Sequence, residues 1–164
     1  MRFDPNLLRG GSIVIVGNSG EVPHRAWIIM ESAELEVLLG EVFLAWLGRT
    51  NPAANLSQAK QELIDEGSLG SLTKLSDIAF YLGLIGPKTR HDLRKIAKLR
   101  DRYAHDRDRG QLGGDPQMFK LVEETYLYKE NRDIMRSTND LHEQRAFLAI
   151  CSQLKTNLNS AWVE

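Results

Sequence analysis

The run from His24 to Leu47, HRAWIIMESAELEVLLGEVFLAWL, constrains the fold more than any other segment. It follows Pro23, holds no further proline, and places Ile29, Ala33, Val37, Gly40, Leu44 and Leu47 at spacings of three and four. That is the period of one face of an α-helix. Leu35, Leu38, Val42 and Trp46 widen the apolar side. A helix this apolar needs neighbours on several sides, so it is expected at the centre of a helical domain.

Downstream, prolines, glycines and small polar residues divide the chain into further helices. Asn51-Pro52 reads as an N-cap with proline in the first turn, opening a second helix over 52–66. After the loop EGSLGS, a third helix over 71–84 turns Leu72, Leu75, Ile78, Ala79 and Leu82 inward, with Phe80 beside them, and Gly86-Pro87 stops it. A fourth spans 87–107, with Thr89 and Asp92 resembling a capping box. Asp115-Pro116 opens a fifth over 116–130. Ser137 with Asp140 opens the last, over 138–159, with Leu141, Phe147, Leu148, Cys151, Leu154 and Leu158 apolar. The expected fold is all-α, a bundle of five to six helices over residues 23–164. Residues 1–22 form a short non-helical arm. Its β-branched run Ile13–Val16 between glycines would suit a short strand. No Gly-Lys-Ser/Thr follows those glycines, so a phosphate-binding loop is not expected.

Bulk properties narrow the function. At 164 residues the chain is long enough for one domain with a real core. A formal net charge of -1 gives no general attraction to nucleic acid or anionic membrane. Cys151 is the only cysteine, which excludes an internal disulfide and a four-cysteine zinc site. His24, His91, His105 and His142 form no pair at helical spacing, so neither metal nor cofactor is expected. The apolar run IVIV is too short for a signal-peptide core or a membrane span, and a cytoplasmic protein is expected. The wide apolar sides of the first and last helices suggest a homodimer.

The fourth helix carries the chemistry. Leu93, Ile96, Ala97, Arg100 and Ala104 share one face, and Leu99 and Tyr103 adjoin it. Arg100 therefore falls within the apolar stripe, where a guanidinium needs either a carboxylate or an aliphatic route to water. Glu36, on the edge of the first helix's apolar side, is the expected partner, in a bidentate contact. His105 lies about 140° around the helix from Arg100. It is Asp101's neighbour one turn on and sits where the helix dipole favours a cation. The helix is also locally basic. Arg94, Lys95, Lys98 and Arg102 are candidate nucleic-acid contacts, although no recognition helix or stacking platform accompanies them.

The segments GSLGSLTKLSDIAFYLGLI and LRKIAKLRDRYAHD together resemble the mannitol operon repressor (MltR) family. The matching positions are Leu69, Gly70, Ser71, Lys74, Ala79, Leu82, Gly83, Leu84, Ile85, Arg100, Tyr103, Ala104 and His105. AELEVLL, containing Glu36, and HEQRAFLAICSQL resemble its first and last helices. Asp101 departs from the family's usual Asn, and the arm before Pro23 is not part of the pattern. The resemblance implies a helical repressor-type regulator acting through protein partners, with Glu36, Lys74, Arg100, Asp101, Tyr103 and His105 as its polar cluster. Arg100 to His105 also resembles the signature of the HEPN superfamily. That implies an alternative, a metal-independent ribonuclease in which Arg100 and His105 meet at a dimer groove. Direct DNA binding by the basic helix is a third expectation.

Overall fold

The computed structural model describes residues 24–67, 69–105, 116–133 and 142–160. The arm over 1–22, Asp115, Leu141 and the helix start at Ser137–Asp140 lie outside the described residues. The described residues include seven α-helices: α1 (His24–Thr50), α2 (Leu56–Ala59), α3 (Leu72–Tyr81), α4 (Pro87–His105), α5 (Pro116–Glu123), α6 (Tyr126–Glu130) and α7 (His142–Ser160). The chain runs from α2 directly into a π-helical turn, Lys60–Asp65. No strand occurs among the described residues. None of their helices is long and apolar enough to cross a membrane.

Two helices organise the bundle. α1 packs on α3, α4 and α7, while α4 packs on α1, α3, α5 and α6. The buried side of α4 is Leu93, Ile96, Ala97, Leu99 and Tyr103. Ala104, expected on that side, is exposed. In α7 the expected Phe147, Cys151, Leu154 and Leu158 are buried, joined by Ala146, Ala149 and Ile150.

The inward face of α1 is not the one its spacing suggests. Ile28, Ser32, Leu35, Leu39 and Val42 are buried, whereas Ala33 is exposed and Val37 is 62% exposed. The expected stripe is turned by about one residue, roughly 100°. Apolar residues cover more than one side of α1, so periodicity alone does not fix its phase. Contacts with α3, α4 and α7 decide it. Ser32 is tolerated inside because its hydroxyl donates to the Ile28 carbonyl at 2.6 Å. Gly40 and Gly48 admit the next segment closely: a Cβ there would meet Ile64 Cδ1 at 3.3 Å and Leu56 Cδ1 at 3.1 Å.

Several helix boundaries also differ from expectation. α1 runs to Thr50, the Asn51 amide donating back to Leu47 O at 2.8 Å, and Asn55 caps α2 instead, its side chain accepting from the Gln58 amide at 3.2 Å. The second helix is thus short and finishes as a π-turn. There Lys60 pairs with Asp65 at 2.9 Å and Gln61 with Glu66 at 2.9 Å, both five residues apart. α3 ends before Gly86-Pro87. Gly83 adopts φ +75°, Leu84 N–H donates to Ala79 O and Gly83 N–H to Phe80 O, a Schellman close. Pro87 is the first residue of α4, where the fourth helix is expected to begin. The expected fifth helix is divided, because Thr125 leaves the helical conformation and caps α6 through the Tyr128 amide.

The expected capping box at Thr89 and Asp92 is not what Asp92 does. Its carboxylate, 1% exposed, accepts from the Tyr126 amide at 2.7 Å and the Leu127 amide at 3.0 Å. Asp92 thus caps α6 from α4 and satisfies two amides at a helix start. Burial pushes its carboxyl above the ordinary aspartate value, outweighing the two amides that pull it down.

Two outcomes are expected. Asp92→Ala strands both amides and costs about 2–3 kcal/mol in denaturant melts. The raised carboxyl also makes the native state take up its proton before the unfolded state as pH falls. The Asp92 contribution to stability therefore increases between the native and the lower unfolded pKa. Urea melts of wild type and Asp92→Asn from neutral pH into the carboxylate range check this: the wild type should gain relative to the variant.

Candidate functional site

Of the expected polar cluster, Glu36, Arg100 and Asp101 come together, at the junction of three helices. Arg100 Nη1 of α4 lies 2.7 Å from Glu36 Oε2 of α1. The same oxygen accepts from the backbone amide of Leu72, the first residue of α3, at 2.8 Å. Ser71 completes that helix start, its hydroxyl accepting from the Lys74 amide at 3.4 Å. One carboxylate on α1 thus caps α3 and pairs with α4. The contact with Arg100 is not bidentate. Arg100 Nε and Nη2 are each 3.3 Å from Asp101 Oδ1, so the guanidinium fork is divided between two carboxylates. Burial lowers the proton affinity of Arg100, but Glu36 and Asp101 more than offset it, and the net shift is upward.

The other cluster members take separate places. Tyr103 is fully buried in the core beside Leu99. The Lys74 side chain is exposed and makes no ion pair among the described residues. His105 is exposed at the last position of α4. The α4 terminus is held by Arg25 of α1, whose Nη2 donates to the Ala104 carbonyl at 3.0 Å. α4 runs without a break from Pro87 to His105, so Arg100 and His105 point about 140° apart within one chain.

Most basic residues of α4 are paired with side chains of neighbouring segments. Lys88 pairs with Glu130 of α6, and Arg90 Nε is 2.8 Å from Asp77 Oδ1 of α3. Arg94 reaches the same Asp77 oxygen at 3.7 Å. Lys95 pairs with Glu124, between α5 and α6, and its hydrogen bond holds that carboxyl below the ordinary glutamate value. Arg102 Nη1 lies 3.9 Å from Met118 Sδ. Of the candidate nucleic-acid contacts, Lys98 alone is exposed without an ion pair or hydrogen bond among the described residues. Arg107 and Arg109, the next basic residues along the chain, lie outside the described residues.

One further group escaped the sequence reading. Lys155 of α7 bridges Glu31, at 2.8 Å, and Glu34 on α1. Cys151 is fully buried, and burial pushes its thiol well above the ordinary value, which makes it unreactive. No group of three or more metal-ligating side chains occurs among the described residues.

No protein-family model, no curated protein and no solved structure matches the chain.

Removing either side of the Glu36–Arg100 contact should destabilise the fold unequally. Arg100→Ala leaves Glu36 its Leu72 amide and should cost about 1–2 kcal/mol. Glu36→Ala strands that amide, leaves the half-buried guanidinium with Asp101 alone, and should cost about 2–3 kcal/mol. A double-mutant cycle in urea isolates the pair term. Equal losses for both single variants would contradict the capping role of Glu36.

Proposed function

We propose that the chain is a cytoplasmic helical regulatory module of the repressor type implied by its MltR resemblance. It works as a homodimer through protein partners rather than by reading DNA or cutting RNA. The observation that carries this reading is the pairing of α4's cations with carboxylates of the neighbouring segments. A helix that binds a polyanion needs its cations available to phosphates, and each phosphate contact releases counterions. Here Lys88, Arg90, Lys95 and Arg100 each meet a carboxylate that lies outside α4. Arg100 faces two carboxylates, which oppose an incoming phosphate.

The homodimer has its own support. Met30 is 57% exposed and Val37 62% exposed on α1, with exposed Ala33 between them. These residues recur at spacings of three and four, so they form a single outward stripe. A twofold contact of this stripe with itself is isologous and closes without leaving an open edge.

Purified protein should neither cleave labelled RNA in EDTA nor bind duplex DNA with a steep salt dependence. Cleavage that disappears in His105→Ala would make the ribonuclease the leading function. Salt-sensitive DNA binding lost in Lys98→Ala would favour direct DNA recognition. Sedimentation at micromolar concentration should give a dimer, and Val37→Asp a monomer. A wild-type monomer would remove the dimer from the proposal.

A further inference from the structure

The outward surface of the α3–α4 hairpin carries more positive charge than its carboxylates neutralise. The two helices run antiparallel, and two sets of contacts fix their register. Asp77 Oδ1 of α3 meets Arg90 Nε of α4 at 2.8 Å and Arg94 Nη1 at 3.7 Å. At the other end, the Leu72 amide and Arg100 Nη1 share Glu36 Oε2. Between those two levels, on the outer side of each helix, lie Lys74 and Lys98, both exposed and without an ion pair among the described residues. Arg94 is loosely held: it shares one carboxylate oxygen with Arg90, and 51% of its side chain stays exposed. Lys74, Arg90, Arg94 and Lys98 thus face only Asp77 and Asp101, and Asp101 also meets Arg100. Tyr81 stands at the far end of this surface, 74% exposed, more than any other large hydrophobic side chain among the described residues. The Arg90 guanidinium lies 5.2 Å from its ring centroid and 4.7 Å from that of Phe80, which holds cation and rings side by side.

We propose that this surface docks an acidic, partly apolar segment of a partner protein, its carboxylates set against Lys74, Arg94 and Lys98 and an apolar side chain against Tyr81. The inference rests on the partner-binding reading above and names the chemistry of the partner. Charge complementarity selects an anion, because the excess of cations is local to this face of a chain whose net charge is -1. The interleaved carboxylates select a polypeptide over a nucleic acid. A phosphate backbone carries a charge at every nucleotide and meets Asp77 and Asp101 as well as the cations. A polypeptide can set a neutral residue opposite each carboxylate. Two lysines without partners are also few for a polyanion, whose affinity comes from many phosphate contacts. Tyr81 adds what a purely electrostatic surface lacks. Tyrosine and arginine are enriched where binding energy concentrates in protein interfaces, and here the two lie together at the edge of the charged face. Lys74 and Lys98 supply steering and register, and Tyr81 supplies apolar area to bury.

The test is fluorescence anisotropy with the full chain and short labelled probes. The probes are a peptide of alternating glutamate and leucine pairs, the same peptide with lysine in place of glutamate, a single-stranded RNA and a DNA duplex. The acidic peptide should bind, more weakly as salt rises, and the basic peptide should not. Lys98→Glu should weaken binding by at least about fivefold, and Lys74→Glu added to it by at least about tenfold in all. Tyr81→Ala should weaken it by at least about fivefold with the salt dependence unchanged. All three side chains are exposed, so the variants should melt close to wild type. Lys129→Glu makes an equal charge reversal on exposed α6, which meets α4 through Lys88 and Asp92 rather than through the proposed face. It should change binding by less than about twofold. No binding of the acidic peptide at low salt would overturn the proposal and leave the partner-binding reading standing. Equal weakening by Lys129→Glu and Lys98→Glu would overturn it too, since overall charge would then account for the binding. Tighter binding of the RNA or DNA, lost in Lys98→Glu, would overturn both the proposal and the reading beneath it.

Discussion

The Glu36 carboxylate is the contact on which the arrangement of the central helices depends. A single oxygen on α1 receives the Arg100 guanidinium of α4 and the first amide of α3. The side chains of the pair are about three-quarters buried, at 23% and 26% exposure, so neither charge is fully hydrated. Such a pair contributes modestly to net stability, because desolvation offsets much of the attraction. Its larger effect is on specificity. Apolar packing tolerates sliding, whereas a carboxylate that must meet one amide and one guanidinium fixes the relative position of three helices. Asp92 repeats the device on the other side of α4, fixing the start of α6. The five-residue α6 is too short to be stable alone, so this external cap and its packing hold it.

The basic character of α4 takes on a different meaning in this setting. As a string of letters it reads as a cationic surface. In three dimensions most of those charges hold neighbouring helices, Arg90 to α3, Lys88 to α6 and Arg100 to α1. A near-neutral chain with a locally basic central helix and acidic partners on the surrounding helices is what such internal pairing requires. Sequence-local charge counts miss it because the compensating residues Glu36, Asp77, Glu124 and Glu130 lie far away along the chain.

The same distinction explains what the sequence made legible. The pairing of Arg100 with Glu36 could be read because it needs only helical phase and the rule that a guanidinium among apolar residues must find a partner. The inward sides of α4 and α7 were legible because polar residues clearly mark their outer faces. α1 was not, because apolar residues occupy nearly every side and only its neighbours choose the buried one. The caps at Asn55, Gly83 and Thr125 competed with stronger-looking signals at Asn51-Pro52 and Gly86-Pro87. Asp92 was assigned to its own helix because a capping box is a local pattern, whereas its real partners are on α6.

α7 joins the outward stripe of α1 to a cavity of about 300 Å³ lined by Lys88, Asp92, Gln153 and Asn157. Gln153 lies two residues before Lys155 on α7, and Lys155 bridges Glu31 and Glu34 of α1. Those two glutamates alternate along α1 with Met30, Ala33 and Val37. Lys155 thus ties α7 to the residues flanking the outward stripe through one ammonium and two carboxylates. Coupling between two sites requires an element that both can bias, not merely proximity. α7 meets the geometric part of that requirement, since it lines the cavity, packs on α1 and carries the bridging lysine on one continuous helix. The alternative route, through α4, is stiffer: Asp92 and Arg100 are each held by at least two hydrogen bonds, so movement there would have to break the contacts that define the fold.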